Sequence, residues 1–369
     1  MVSRIHRQYL AAALALAVLL CALPPVSATE TAPMETVPVE TVPVETAPTE
    51  TVPLETIPPE TVPEETVPPE TEPPVPPLVP AESDTAVYQI CEDILEDSEA
   101  RFAIVYHTGT GQVLYSHAAG NGKLFPASIT KLFTAYVALQ YLDPDEVITA
   151  GSELKLVHEG SSLAWIARGH QIKVSMLVEA MLLPSGNDAA MVISCAAGRV
   201  IAQDSQLAAA DAVQVFVDEM NRQAEELGFE MSHFVSPDGW HTGSHYTCLN
   251  DLARISYLAL QNDTIRRYMK VGYHETYFYS GQAIAWENTN LLVLPESGFY
   301  RSDAIGMKTG YTRPAGYSLM SAFSFEEGDI VIGLFGYVDK TMRFNDACKL
   351  IKAVKSQLRL EAESDESVG

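Results

Sequence analysis

The hydrophobic positions of this 369-residue chain fall into three regimes. An unbroken apolar run occupies residues 10–23, behind Arg4 and Arg7. Residues 30–74 then repeat a five-residue unit, from Glu30-Thr31-Ala32-Pro33-Met34 to Glu70-Thr71-Glu72-Pro73-Pro74, in which single aliphatic residues alternate with proline and glutamate. Only beyond residue 84 do apolar positions recur at the spacings of secondary structure. There the pattern predicts a helix over 86–96, a β-hairpin over 101–117 and an almost wholly apolar helix opening at Ser128. A helical region over 175–227, three strands over 304–338 and a closing helix over 340–358 follow. About 275 residues in this order suffice for one large α/β domain with an antiparallel sheet.

The first two regimes concern location. Two arginines, a short apolar run and the small-residue exit Val26-Ser27-Ala28 form a secretory signal peptide, with cleavage expected after Ala28. The run is short for a permanent span, so a membrane enters the picture only if the signal stays uncleaved. Cys21 follows Leu20, which is too large for a lipobox. In the repeat, regular proline denies helix and central strand, and glutamate keeps the chain extended, so residues 29–83 read as a disordered linker. In polyproline II geometry it would reach on the order of 100 Å. The expected organisation is a signal over 1–28, this linker, a catalytic domain over 84–358 and an acidic tail without structure over 359–369.

Charge excludes some partners. The net charge is −25, and the eleven glutamates of the repeat account for less than half of it, so the globular part is itself acidic and is repelled by nucleic acid. After the signal four cysteines remain, Cys91, Cys195, Cys248 and Cys348. Cys195 and Cys348 fall in helical patterns as small hydrophobes, so no disulfide framework is expected, although a bridge between Cys91 and Cys348 on the terminal helices stays open.

Three short motifs carry the chemistry. Ser128-Ile129-Thr130-Lys131 opens the apolar helix, where a spacing of three puts the hydroxyl and the amine on one face. A lysine accepts a serine proton only as the neutral amine, so burial and a neighbouring ammonium must depress it. Lys308 is the candidate for that ammonium. Ser152-Glu153-Leu154-Lys155 has the same spacing but lies in a polar stretch, so spacing alone decides nothing. Ser185-Gly186-Asn187 sits between two helical patterns, where Ser185 is placed to relay a proton and the Asn187 amide to hold a peptide carbonyl. Lys308-Thr309-Gly310 lies on a strand, where Lys308 and Thr309 meet a carboxylate and Gly310 permits close backbone approach.

Other chemistries lack their patterns. There is no GxSxG elbow and no histidine paired with a motif serine, which argues against a Ser-His-Asp hydrolase. His241 and His245 lie four apart, but HExxH is absent and their loop reads as a structural turn. No metal and no cofactor are expected.

Taken in order, the three motifs are the signature of penicillin-recognising serine enzymes. The flanking stretches LFPASITKLFTA, FVSPDGWHTGSHYT, GMKTGYT and AGYSLMSAF resemble the D-alanyl-D-alanine carboxypeptidases, the low-molecular-mass penicillin-binding proteins, over residues 84–357. The resemblance implies a β-lactamase/transpeptidase-like α/β (α+β) fold, an antiparallel sheet flanked by helices with a helical subdomain. It implies that Ser128 attacks a peptidoglycan stem peptide ending in D-Ala-D-Ala, with Lys131 as base and Ser185 assisting. Asn187, Lys308, Thr309 and Gly310 would bind substrate, and the backbone amides of Ser128 and Tyr311 would hold the oxyanion. β-lactam antibiotics would bind covalently to a monomeric enzyme in the cell envelope. One departure stands out: some members carry an arginine shortly before the Lys-Thr-Gly motif, and Thr289 takes that neighbourhood here. A β-lactamase is disfavoured because the segment AEELGFE lacks the ExxLN-like pattern. A relic wall-binding protein is disfavoured because all three motifs are intact.

Overall fold

Alternation along the strands sets the layers of the computed structural model, which describes residues 75–117 and 122–368. The leader and the proline repeat lie outside the described residues. Helix α1 (Ala86–Leu95) precedes β1 (Phe102–His107) and β2 (Gln112–His117). A 3₁₀ turn (Ala127–Ile129) leads into α2 (Thr130–Ala138), and a second one (Ser152–Leu156) lies between β3 (Val147–Thr149) and β4 (Gln171–Lys173). Helices α3 (Val174–Leu182), α4 (Asn187–Ile201), α5 (Ala209–Glu226), α6 (Leu249–Gln261) and α7 (Asp263–Met269) form the helical region. The hairpin of β5 (Tyr273–Tyr277) and β6 (Ala283–Glu287) is followed by β7 (Ala304–Thr312), β8 (Gly316–Phe323), β9 (Ile330–Tyr337) and helix α8 (Met342–Val368).

The main sheet has the order β2-β1-β9-β8-β7, with antiparallel pairing throughout. Side chains alternate between its faces. Ala103 and Val105 enter a layer closed by α1 and α8, whereas Ile104 and Tyr106 enter the larger core around α2. Both faces are therefore buried, and β7 is left as an edge strand beside the turn that carries Ser128. Each of the nine residues of α2 is buried, which explains the apolar run: this helix is the centre of the molecule and has no solvent face.

Three boundaries differ from the sequence expectation. The helix expected from Ser128 begins as the 3₁₀ turn and becomes α-helical only at Thr130. The folded body starts before residue 84: Val79 donates to the Gly111 carbonyl (2.9 Å) and accepts from Val113 (2.8 Å), so the last residues assigned to the linker are laid on the hairpin. At the other end α8 continues to Val368, so the expected structureless tail is helical to that point. Its residues include neither glycine nor proline before Gly369, and Gln357 donates to Glu361 one turn on (3.0 Å), which supports the extension. The four described cysteines are free thiols, Cys348 only partly buried. Among the described residues no helix is long and apolar enough to cross a membrane.

Candidate active site

A turn with a strained residue presents Ser128. Ala127 has φ of 50°, a left-handed conformation that costs an alanine about 1 kcal/mol and lasts only where neighbours impose it. Two glycines let those neighbours approach. A Cβ at Gly310 on β7 would lie 2.9 Å from the Pro126 carbonyl and 3.2 Å from the Ala127 Cβ. A Cβ at Gly239, whose φ is 80°, would lie 1.9 Å from the Ala127 carbonyl oxygen. The edge strand and the loop around Gly239 thus clamp the serine turn from two sides.

Lys131, three residues on, is fully buried, with its amine 2.9 Å from Ser128 Oγ. It donates to Asn187 Oδ1 (2.7 Å) and to the Asp238 carbonyl (2.8 Å). Burial pulls its pKa down to about 8, while the charges of Asp238 and Asp188 pull the other way. The depression comes first from desolvation; Lys308, buried in turn, is itself driven well below 10.5 by burial and then by the charges of Lys131 and Arg343. Asn187 also differs from expectation. Its Nδ2 donates to Asp238 Oδ2 (2.7 Å) and Ser161 Oγ (3.0 Å), so in this structure the amide orients Lys131 and is fully engaged by the protein.

The other predicted residues divide. Ser128, Ser185, Asn187, Thr309, Gly310 and Tyr311 line one cleft of about 270 Å³. Lys308 does not line it: the side chain is fully buried and its amine donates to the Thr309 carbonyl (3.1 Å). The physical reason is strand geometry, since Lys308 and Thr309 are successive residues of β7 and face opposite sides. Thr309 donates to Thr289 Oγ1 (2.6 Å), which keeps both hydroxyls at the cleft wall. Ser152 stays exposed on its own 3₁₀ turn, outside the cleft.

Sequence reasoning missed two residues. Arg343, in the first turn of α8, lines the same cleft and stands over the Tyr317 and Phe344 rings at 5.2 and 4.8 Å. Burial lowers its pKa to about 10, and its buried Nε and Nη1 have no hydrogen-bond partner among the described residues. An arginine was sought only ahead of the Lys-Thr-Gly motif, and no local pattern marks one after it. Asp238 is the other: nearly fully buried, it accepts from Asn187, Ser236 Oγ (2.8 Å) and Trp240 N (2.9 Å). The signal was the Ser-Pro-Asp-Gly turn chemistry, read as structural only. In the same loop His245 accepts from Val235 N–H through Nδ1 (3.2 Å), so its Nε2 donates to Thr130 (2.9 Å), and burial lowers its pKa to about 4.

Comparison with known proteins decides the family. The family model for D-alanyl-D-alanine carboxypeptidases matches residues 89–334. The chain belongs to this family. It is thus an enzyme of the serine D-alanyl-D-alanine carboxypeptidase type, and the match contains all three motifs. It is 32% identical over 260 residues to a D-alanyl-D-alanine carboxypeptidase of Streptomyces sp. strain K15, covering 66% of this chain and 83% of the relative. Identity to the Bacillus subtilis carboxypeptidase DacF is 27%, covering 70% of this chain and 63% of that longer protein. Among solved structures it resembles the Streptomyces K15 DD-transpeptidase, with a TM-score of 0.61 and 28% identity over 69% of this chain and 97% of the other. A penicillin-binding protein D2 from Listeria monocytogenes in its ampicillin-bound form gives a TM-score of 0.55 at 26% identity, over 70% and 97%. The transpeptidase-like α/β fold expected from the motifs is the fold observed.

Proposed function

We propose that this carboxypeptidase removes the terminal D-alanine from peptidoglycan stem peptides ending in D-Ala-D-Ala, through an acyl-enzyme on Ser128, and that it acts outside the cytoplasmic membrane. The observation that carries the reading is the buried Lys131 amine, 2.9 Å from Ser128 Oγ with its pKa near 8. At that pKa a substantial share of the amine is neutral at physiological pH. The Ser128 proton passes to Lys131 as Oγ attacks the carbonyl of the penultimate D-alanine. The resulting oxyanion sits between the backbone amides of Ser128 and Tyr311, an arrangement worth several kcal/mol. Lys131 returns the proton, by way of Ser185 at the cleft wall, to the departing amine, and D-alanine leaves. Water then attacks the ester with Lys131 again as base.

Arg343 supplies what the Thr289 neighbourhood lacks. Its guanidinium, a cation on the cleft wall, suits the carboxylate of the leaving D-alanine, with the Thr309 hydroxyl on the same cleft. Lys308 acts at one remove, fixing the Thr309 carbonyl from behind.

The same geometry predicts covalent capture of penicillin. Asp238 is a carboxylate on the cleft wall, but its side chain is held by Asn187, Ser236 and Trp240, so it is not free to activate a hydrolytic water. The amine expelled from a β-lactam also stays tethered to the acyl group and obstructs the water that Lys131 activates after D-alanine has left, so the adduct on Ser128 is long-lived. The signal peptide and repeat support the extracellular assignment, with the repeat as a spacer through the wall. The test is incubation of the purified protein with a pentapeptide ending in D-Ala-D-Ala: free D-alanine is expected, together with a penicillin adduct on Ser128. No D-alanine, or an adduct on Ser152 or Ser185, would refute the reading.

A further inference from the structure

The hairpin of β5 and β6 turns one face to the body and the other to solvent, because successive side chains of a strand alternate. On the inner face His274 donates through Nδ1 to the buried carboxylate of Glu179 on α3 (2.6 Å), and Trp286 Nε1 donates to the Ala164 carbonyl (3.1 Å). The turn is tied to β4 as well. Gln171 N–H donates to Ser280 Oγ (2.9 Å), and Ser280 N–H donates to the Gln171 carbonyl (3.3 Å). Held at both strands and at the turn, the hairpin is a fixed ledge.

Its outer face carries Tyr273, Glu275 and Tyr277 on β5 opposite Glu287, Ala285 and Ala283 on β6, and all six are exposed. Tyr279 follows in the turn, and the three tyrosines are between 54% and 68% exposed. The Tyr273 hydroxyl donates to Glu275, so ring and carboxylate are presented together, and the small Ala283 across from Tyr277 leaves that ring open. The fold does not call for these rings. Phe278 and Trp286, both buried, already supply the aromatic packing of the hairpin, so a row of exposed tyrosines marks a contact surface.

We propose that this ledge binds the glycan strand of peptidoglycan, with sugar rings lying on Tyr273 and Tyr277 and with Glu275 and Glu287 accepting from sugar hydroxyl and amide groups. The inference rests on the wall substrate proposed above and adds a second site for the same polymer. A linked pyranose offers an apolar C–H face and a polar edge, which suit an aromatic face beside a carboxylate. The two rings lie about 13 Å apart along the strand, four steps of 3.3 Å, so one linear oligosaccharide reaches both. Other occupants fit less well. Glu275, Glu287 and the net charge of −25 oppose anionic lipid. A face of two five-residue strands covers roughly 170 Å², far below the 800 Å² per partner of a stable dimer. Position agrees: β6 runs on through Asn288 to Thr289 in the cleft wall, so a glycan on the ledge keeps its stem peptides close to Ser128.

The test uses the full chain and insoluble chitin, a polymer of N-acetylated sugars without stem peptides, with phosphatidylglycerol vesicles as the competing surface. The wild type is retained on chitin. Changing Tyr273→Ala and Tyr277→Ala together lowers retention about fivefold or more, and phenylalanine at both positions keeps most of it. Tyr300→Ala, an exposed tyrosine outside the hairpin, leaves retention unchanged. All variants keep wild-type kcat/KM on a soluble pentapeptide, while the alanine pair releases D-alanine more slowly from insoluble peptidoglycan. Failure of the wild type to bind chitin, retention unaltered by the alanine pair, or vesicle binding that the pair abolishes overturns the ledge and leaves the carboxypeptidase standing. Chitin binding without any D-alanine release from the pentapeptide overturns the carboxypeptidase reading instead.

Discussion

Two segments of this chain place a serine three residues ahead of a lysine, and both serines sit in 3₁₀ turns, Ala127–Ile129 and Ser152–Leu156. Their surroundings have little in common. Lys131 is fully buried, with two partners, Asn187 and the Asp238 carbonyl, that hold its amine against Ser128, whereas Lys155 is exposed and Ser152 faces solvent. Motif spacing and a 3₁₀ start at the serine are thus shared, and only one segment continues into a buried α-helix and lies against an edge strand, a glycine-bearing loop and a helix N-terminus. Nucleophile activation here belongs to the packing around the motif rather than to the motif.

The largest effect separates the two serines. Ser128→Ala abolishes penicillin labelling and lowers peptide turnover at least about a thousandfold, while Ser152→Ala leaves both at wild-type level; equal losses would erase the contrast. The lysines come next. Lys131→Arg, which cannot supply a neutral amine, costs a factor of about 10²–10⁴ in acylation rate, and Lys155→Arg is silent in the same stopped-flow assay. Gly239→Ala probes the clamp behind Ser128 without touching the motif. A methyl driven against the Ala127 carbonyl at positive φ should destabilise by about 1–3 kcal/mol and slow acylation, read by thermal melting and by labelling rate.

Asp238→Asn is the mildest and most informative change. Its charge favours protonated Lys131, so removing it lets the lysine titrate lower, and the acidic limb of kcat/KM moves to lower pH. A limb that stays in place, or moves up, would assign the titration to another group. His245 is a poor alternative, because its pKa already lies near 4.

How much of this was legible follows from the range of the interactions. The Ser128 helix, the late strands and the motif order rest on local periodicity, and the fold followed from them. The partners of Lys308 and Asn187 within the site did not. The motif marks Lys308 and Thr309 together as carboxylate ligands, whereas the structure puts the Lys308 amine on the Thr309 carbonyl, behind the cleft wall. Asn187 reads as a substrate contact and does line the cleft; the added link of its amide to Asp238, 51 positions along the chain, has no local signal. Arg343 enters from the closing helix, with no motif of its own. The strain at Ala127 is invisible in a sequence, since it is imposed by the distant Gly239. The early boundary was misplaced for a related reason: Val79 pairs with the hairpin through backbone groups, which composition does not report.

The central claim is that burial makes Lys131 the base. Its most direct test is the rate of Ser128 acylation by a β-lactam measured from pH 5 to 10 by rapid mixing. The account predicts a rate that rises with pH through an apparent pKa near 8, since the neutral amine is the active form and is lost as pH falls through that value. A rate independent of pH across that range, or a limb centred near 4 that vanishes in His245→Gln, would contradict it.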